Sequence, residues 1–162
     1  MNNLSQWQDP DDILEALNMK NIAVVGLSSN RLRDSNIVSN YLLGNNYQVT
    51  PVNPNEDEIF GLKSFSNLRD IPYQIDVVNV FRDSSAIPVI AEETVSIGAK
   101  YLWLQYGVVS FSGIAIVEQA VKAVDYRLHR QDEGEDEPGG LVRAGVAQRR
   151  GAREGGLVRK GG

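Results

Sequence analysis

The sequence predicts an α/β fold, with an open parallel β-sheet and helices packed on both faces of the sheet. Continuous apolar segments without polar alternation recur along the chain, as in strands that are covered on both sides. Segments with helical periodicity separate them, and this alternation favours parallel pairing through right-handed crossovers. The first apolar segment ends at Gly26, where a short polar loop leads into a helix. That turn is the strongest candidate for a ligand site.

The composition is that of one globular domain. The chain has 162 residues, of which 42% are hydrophobic. It has no cysteine and one histidine, His129, which argues against disulfide bonds and against a metal centre built from thiolates or imidazoles. The amino-terminal residues lack the pattern of a signal peptide, and no segment approaches the roughly 20 apolar residues that span a bilayer. We therefore expect a cytoplasmic protein without a membrane partner.

The acidic excess lies in the main body of the chain. The formal net charge is −5, and Gln131–Gly162 contains six acidic and six basic residues, so the whole excess falls in residues 1–130. A nucleic-acid interface needs a surplus of lysine and arginine to neutralise phosphates. The sequence therefore predicts no nucleic-acid partner.

The amino-terminal part predicts a helix, a strand and a second helix. Asp9 can cap a first helix that has Pro10 at its first position and apolar residues on one face. Ile22 to Val25 is an apolar strand, and apolar residues at helical spacing follow it. Either Gly44 or Asn45 then supplies a left-handed residue that ends the second helix.

Three further strands follow. Tyr47 to Val52 predicts the second strand, which Pro51 and Pro54 end. Ile75 to Phe81 and Tyr101 to Leu104 predict the third and fourth strands, and a helix that begins near a proline and ends at a glycine separates them. Before the third strand, we expect a loop with one short helical turn.

The loop after the first strand is suited to bind phosphate. Gly26 permits a tight turn, and the backbone amides at the start of the following helix carry partial positive charge. Arg31 and Arg33 add cationic side chains. A dinucleotide site usually has three glycines in this turn and an acidic residue at the end of the second strand. Here the turn keeps one glycine and the strand ends in Val52-Asn53-Pro54, which disfavours NAD and leaves room for a differently phosphorylated ribose.

Several short motifs occur in order over roughly residues 10–120: Gly26-x-Ser28 with Arg33 and Ser35, Tyr41-Leu42-Leu43, Val52-Asn53-Pro54, Glu58-Ile59-x-Gly61, Asp76-x-Val78-x-Val80-Phe81-Arg82, Ile97-Gly98-Ala99-Lys100 and Leu102-Trp103-Leu104-Gln105-x-Gly107. Together they resemble the small bacterial and archaeal CoA-binding proteins. These are single Rossmann-like domains, similar to the amino-terminal domain of the succinyl-CoA synthetase α subunit. Each motif is weak alone, and their shared order makes the resemblance specific.

The resemblance implies a five-stranded parallel sheet with CoA or an acyl-CoA across the carboxyl ends of the strands. The family often has proline at the position of Arg31 and tyrosine at that of Asn36, which implies a looser loop and a lower affinity in this chain. By position, the resemblance assigns the phosphates to Gly26, Ser28 and Arg33, with Leu27 and Ser35 also in contact with the cofactor. It assigns the adenosine to Asn53 and Pro54 and the pantetheine arm to Phe81 and Arg82. Gln105 and Gly107 are assigned to the far side of the site.

The resemblance also implies binding without catalysis. Succinyl-CoA synthetase and its relatives work through a phosphorylated histidine outside this domain, and the compared region here contains no histidine. We find no serine or cysteine paired with a base. We expect a sensor, carrier or partner module for CoA or an acyl-CoA, either as a homodimer or with a protein partner. Two alternatives stay open: an NAD(P)-responsive regulatory domain, and a non-catalytic subunit of a CoA-dependent transferase or ligase.

The carboxyl-terminal segment departs from the resemblance. After Gly107 the family continues with a helix and then a fifth strand that ends near an aspartate and a cysteine, whereas Ala120–Arg130 lacks this pattern. We therefore expect the last strand to be missing or replaced. Codons permitted for Val121–Arg130, read one base later, can spell an apolar strand ending in Asp-Cys, which leads to the hypothesis of a frameshift near Ala120. Alternatively, Val121–Leu128 extends the preceding helix.

The remaining residues form a separate segment. Gln131–Gly162 contains nine of the fifteen glycines, many charged residues and no aromatic residue. This composition is typical of disorder. The predicted organisation is a Rossmann-like CoA-binding domain at residues 1–130 and a disordered tail, rich in glycine, arginine and glutamate, at residues 131–162.

Overall fold

The computed structural model describes residues 10–105, 108 and 110–117, and the backbone of residues 122–125. None of the helices within these ranges is both long and apolar enough to cross a membrane. Two short 3-10 helices, Leu68–Asp70 and Ser84–Ala86, precede the fifth strand and the third helix. The helices and strands in chain order are α1 (Pro10–Asn18), β1 (Asn21–Val25), α2 (Asp34–Gly44), β2 (Gln48–Val52), β3 (Glu58–Ile59), β4 (Leu62–Lys63), β5 (Val77–Val80), α3 (Ile87–Ser96), β6 (Tyr101–Leu104), α4 (Phe111–Val117) and β7 (Lys122–Asp125).

One parallel sheet organises the fold. Five strands pair in the order β2-β1-β5-β6-β7, all in parallel, which confirms the predicted α/β class. The chain runs from β1 outward to β2 and then crosses back to β5 on the other side of β1. The direction in which strands are added therefore reverses between β1 and β5. Such a reversal opens a crevice at the carboxyl ends of the two strands, where the ligands of open α/β sheets bind.

Helices cover both faces of the sheet, as the sequence predicts. α3 and α4 lie on one face, where Val78 and Leu102 of the strands share a core with Ile90 of α3. α1 and α2 lie on the other face, where Trp103 shares a core with Leu42 of α2. Successive side chains of a strand point to opposite faces. A strand covered on both faces must therefore be apolar throughout, which is why β1 and β6 form continuous apolar runs.

β7 corrects the first part of the expectation that the last strand is missing or replaced, whereas its replacement stays a prediction. Lys122–Asp125 pairs in parallel with Tyr101–Leu104, so a fifth strand is present, and the alternative of a longer helix through these residues is also wrong. The sequence did not predict this strand because only two of its four residues are apolar. An edge strand pairs through its backbone along one side, so its side chains can be short or polar. The frameshift near Ala120 stays a hypothesis, and the predicted tail at 131–162 lies outside the described residues.

The predicted start of the first helix agrees with the structure, whereas the residue predicted to end the second helix does not. Pro10 begins α1 as predicted, whereas its predicted cap, Asp9, lies outside the described residues. After α2, the left-handed residue is Asn46, with a φ of 63°. The prediction that Gly44 or Asn45 takes this conformation is therefore wrong, since neither has a positive φ. Asparagine tolerates the left-handed region better than most residues, so the helix still ends within two residues of the predicted position.

Pro51 lies inside β2 rather than at its end. β2 is an edge strand, and the carbonyl of Pro51 accepts the backbone N–H of Phe65 at 3.0 Å on the side away from β1. The missing proline N–H therefore costs no bond within the sheet. The chain then forms an antiparallel hairpin of β3 and β4, which the sequence did not predict. Phe60 and Gly61 form its turn with φ values of 58° and 73°, and strands of two residues are too short to show periodicity.

Candidate functional site

A cavity of about 450 Å³ opens at the carboxyl edge of the sheet, where the chain leaves β1 and β5. Gly26 and Phe81 directly follow these two strands, and the backbone N–H of Phe81 bonds the carbonyl of Val25 at 2.8 Å. The cavity thus lies at the crevice where the strand order reverses. Its lining residues are Gly26, Ser28, Arg33, Asp34, Ser35, Phe81, Arg82, Asp83, Gln105 and Val108.

Gly26 occupies a position with no room for a side chain. Its φ is +83°, a left-handed conformation that residues with a Cβ rarely adopt. A Cβ at this position would lie 2.5 Å from the carbonyl oxygen of Phe81 and 2.9 Å from Cδ of Arg82. The turn after β1 therefore passes directly against the turn after β5, which brings the two loops together at one cavity.

The loop between β1 and α2 is held by its own side chains. The Oγ of Ser35 accepts the N–H of Ser28 at 3.2 Å, and the Nδ2 of Asn36 donates to the carbonyl of Ser28 at 2.8 Å. Further along, the Oγ of Ser28 accepts the N–H of Asn30 at 3.1 Å, and the Oδ1 of Asn30 accepts the N–H of Leu32 at 2.9 Å. Asn36 thus supplies a loop contact at the position where the resemblance leads one to expect tyrosine.

Two arginines and two aspartates surround the cavity. Arg33 is the N-cap residue of α2, and its side chain makes no capping hydrogen bond to the helix. Arg33 and Asp34 line the cavity from the start of α2, and Arg82 and Asp83 line it from the loop after β5. The four formal charges cancel. The affinity for an anion therefore depends on how closely it approaches the guanidinium groups and the positive end of α2.

Asn53, after the end of β2, holds the loop rather than lining the cavity. Its Nδ2 donates to the carbonyl of Leu27 at 2.8 Å and to Oε1 of Glu56 at 3.3 Å. Its Oδ1 accepts the N–H of Asn55 at 2.9 Å. The same Oε1 of Glu56 accepts the N–H of Ser29 at 3.1 Å. Asn53 and Glu56 therefore fasten the β2 end of the sheet to the loop after β1.

Gln105, which directly follows β6, places its side-chain amide in the cavity lining. It is 8% exposed, and its Nε2 donates to Oδ1 of Asn79, a fully buried residue on β5. Asn79 stands in an otherwise apolar strand, and within the described part of the chain its Nδ2 has no hydrogen-bond partner. A buried amide with an unpaired donor lowers the stability of the fold. Here the Oδ1 of Asn79 orients the side chain of Gln105, which lines the cavity.

The structure brings most of the predicted site residues to this one cavity. Leu27 is different, because its side chain is fully buried in the core that α1 and α2 cover. Asn53 and Pro54 lie at the β2 end, outside the cavity lining, and Gly107 lies outside the described residues. The predicted residues that line the cavity are Gly26, Ser28, Arg33, Ser35, Phe81, Arg82 and Gln105.

Sequence reasoning missed several residues at or near the site. Asp34, Asp83 and Val108 line the cavity, and the two aspartates directly follow the predicted arginines, which is the signal that could have found them. Glu56 and Asn79 carry no local signal. Glu56 bonds Ser29, 27 residues away in the sequence, as well as Asn53, and Asn79 bonds Gln105, 26 residues away.

A family model and several known proteins match this chain. A model of the CoA binding domain family matches residues 20–127. The uncharacterized protein YneT of Bacillus subtilis is 40% identical over 105 residues, which cover 65% of this chain and 78% of YneT. The structure of a hypothetical protein from Pyrococcus horikoshii has 36% sequence identity and a TM-score of 0.71, over 77% of this chain and 90% of that chain.

A longer enzyme contains a similar segment. The ADP-forming acetate–CoA ligase of Methanocaldococcus jannaschii is 28% identical over 81 residues, which cover 50% of this chain and 12% of the ligase. That likeness concerns one segment of the ligase. The family model, by contrast, spans the strands and the loops that build the cavity. The chain belongs to the CoA binding domain family, and its fold is Rossmann-like.

Proposed function

We propose that the chain binds coenzyme A or an acyl-CoA at the carboxyl edge of its sheet, without catalysis of its own. The observation that carries the proposal is the cavity between the loops after β1 and β5, in a chain of the CoA binding domain family. The diphosphate lies against Gly26 and Ser28, with Arg33 beside it. The pantetheine arm runs along Phe81 toward Gln105. The adenosine extends toward the end of β2.

The lining residues support binding rather than turnover. Acyl transfer through a covalent intermediate needs a nucleophile beside a general base. The Oγ atoms of Ser28 and Ser35 accept backbone N–H groups, so these hydroxyls hold the loop in place. A chain that binds CoA in this way serves as a sensor, a carrier or a partner module. The cytoplasmic location and the homodimer stay predictions, which cell fractionation and size-exclusion chromatography test.

Isothermal titration calorimetry of the 162-residue chain with CoA tests the proposal. We expect saturable binding of micromolar strength. We expect about tenfold weaker binding by Arg33→Gln, because this variant loses a charge-assisted hydrogen bond to a phosphate. Arg69→Gln is the matched control, since Arg69 bonds Ser96 and is not part of the cavity lining. Equal heats for CoA and buffer would overturn the proposal.

One observation favours an NAD(P)-responsive regulatory domain as the second candidate. The carboxylate of Glu56 lies near the end of β2, where dinucleotide sites place an acidic residue. Against this candidate, the turn after β1 keeps only Gly26 of the usual three glycines. Titrations with NAD and NADP under the same conditions decide between the two. We expect no saturable heat from either dinucleotide, and binding tighter than that of CoA would favour this second candidate.

A further inference from the structure

Glu56 places a carboxylate at the β2 end of the site. Its Oε1 accepts the backbone N–H of Ser29 at 3.1 Å and the Nδ2 of Asn53 at 3.3 Å. One donor belongs to the loop after β1 and the other follows β2, so the carboxylate is held between two separate parts of the chain. The residue is also half-buried. Its charge is therefore fixed in position rather than free to move through solvent.

This carboxylate lies four residues beyond Val52, the last residue of the second strand of the parallel sheet, and the adenosine ribose of a nucleotide lies near that strand end in such folds. The ribose follows the diphosphate from the loop after the first strand toward the end of the second strand. There an acidic side chain binds free ribose hydroxyls, whereas a cationic side chain accommodates a phosphorylated ribose. Glu56 has the charge that suits free hydroxyls. It also accepts the N–H of Ser29, so this backbone donor is already paired and is not free to bind a phosphate.

CoA and 3′-dephospho-CoA differ by one phosphate on this ribose. A carboxylate and a phosphate that lie within a few ångströms repel each other, and the repulsion falls with distance and with salt. Arg31, in the same loop, carries the opposite charge but is exposed. Solvent therefore screens the charge of Arg31 more strongly than that of the half-buried Glu56. Of these two charges, the carboxylate of Glu56 therefore acts more strongly on a group that lies near it.

We propose that Glu56 selects against a phosphate on the adenosine ribose, so that the site binds 3′-dephospho-CoA at least as tightly as CoA. The inference rests on the proposed function, because it concerns the adenosine end of the same site. It concerns the preference of the site among adenosine diphosphate esters of pantetheine, with and without a phosphate on the ribose.

Calorimetry of the full chain with CoA and with 3′-dephospho-CoA tests the inference. Glu56→Gln removes the charge but keeps a carbonyl oxygen that can accept the N–H of Ser29. Glu58→Gln is the matched control, because Glu58 is exposed and loses the same charge two residues further on. We expect Glu56→Gln to shift the ratio of the two affinities about threefold to tenfold toward CoA, and less at high salt. We expect Glu58→Gln to leave the ratio nearly unchanged.

The ratio of affinities separates the effect of charge from that of loop stability, because a loosened loop weakens both ligands alike. The inference is wrong if the wild-type chain strongly prefers CoA, or if Glu56→Gln changes both affinities by the same factor. It is also wrong if Glu58→Gln shifts the ratio as much as Glu56→Gln does. In these cases CoA still binds and the proposed function stands. If the wild-type chain binds neither compound, the proposed function fails and this inference falls with it.

Discussion

At Gly26 the backbone turns with a φ of +83°, and the carbonyl oxygen of Phe81 lies 2.5 Å from where a Cβ would stand. Glycine avoids both the strain of the left-handed conformation and this contact. The backbone N–H of Gly26 also bonds the carbonyl of Val52 at 2.9 Å, so the residue joins the ends of β1, β2 and β5. A side chain here would separate the two loops that form the cavity.

Gly26→Ala tests this geometry. We expect it to lower the free energy of unfolding by about 2 kcal/mol, from backbone strain and the contact with Phe81, and to weaken CoA binding. Gly44→Ala is the matched control, because a Cβ at Gly44 of α2 would meet no atom of the described residues within 4 Å. Alanine favours a helix more than glycine does, so this control should keep or slightly raise stability. Urea unfolding followed by tryptophan fluorescence measures both, and an unchanged midpoint for Gly26→Ala would contradict the contact.

Residues that follow a strand directly could be placed at the site from the sequence, whereas residues that act through distant partners could not. Gly26, Phe81 and Arg82 come next to apolar runs, and the carboxyl ends of parallel strands meet at one edge of a sheet. Glu56 bonds Asn53 nearby, but its contact with the loop after β1 is to Ser29, 27 residues away, and Asn79 bonds Gln105, 26 residues away. No local pattern contains such a pairing.

At the scale of elements, Tyr47 fastens helix α1 to the sheet. Its hydroxyl donates to the carbonyl of Leu17 at 2.5 Å, and the Nζ of Lys20 lies 4.1 Å from the centre of its ring. Burial raises the pKa of Tyr47 above the ordinary value of 10.0, and the charge of Tyr41 adds to the increase. The folded state therefore favours the neutral phenol, and the attachment of α1 depends on pH in the alkaline range.

We expect the free energy of unfolding to fall at alkaline pH. The contribution of Tyr47 is fully present below its unfolded pKa of 10.0 and is lost as the pH rises through the higher folded pKa. Tyr47→Phe removes the bond to Leu17, which costs about 1 kcal/mol at neutral pH, and should reduce the alkaline fall. Burial also raises the pKa of Tyr101, so the free energy of unfolding of Tyr47→Phe should still decrease in part at alkaline pH. Urea unfolding across this pH range measures both effects.

Tyr73→Phe is the control for this experiment, because Tyr73 is 55% exposed and its hydroxyl bonds Thr50 rather than α1. The free energy of unfolding of Tyr73→Phe should fall at alkaline pH as much as that of the wild-type chain. An identical pH dependence in Tyr47→Phe and the wild-type chain would show that the attachment of α1 is not its source.

The sequence predicts well those elements whose burial is evident from an apolar pattern in their own residues. β1 and β6 are covered on both faces and are therefore apolar throughout, and their predicted and observed bounds agree within one residue. β7 and the β3–β4 hairpin lack such an apolar pattern. β7 lies at an edge of the sheet, and each hairpin strand has two residues, so backbone pairing defines them instead of side-chain pattern. The prediction that Pro51 helps to end β2 is wrong for the same reason, since only the edge position explains a proline within a strand.

At the scale of the whole molecule, the cavity joins two parts of one sheet. The loop between β1 and α2 supplies Gly26, Ser28 and Arg33, while β5 and β6 lead to Phe81 and Gln105. A ligand that spans the cavity contacts both parts at once. Its binding energy then belongs to the folded state alone, because the unfolded chain does not hold these loops together. The stability of the entire fold should therefore rise with ligand concentration.

Thermal unfolding in the presence of CoA tests this linkage. A ligand at a hundredfold excess over its Kd adds about 2.7 kcal/mol to the free energy of unfolding. For a chain of 162 residues this corresponds to a rise in Tm of about 5–10 °C. Arg33→Gln should show a smaller rise at the same CoA concentration, and salt should reduce the rise in the wild-type chain because it screens the attraction between arginine and phosphate. If Tm does not move while calorimetry shows binding, the ligand also binds the unfolded chain, and the cavity between the two loops is not the site that it occupies.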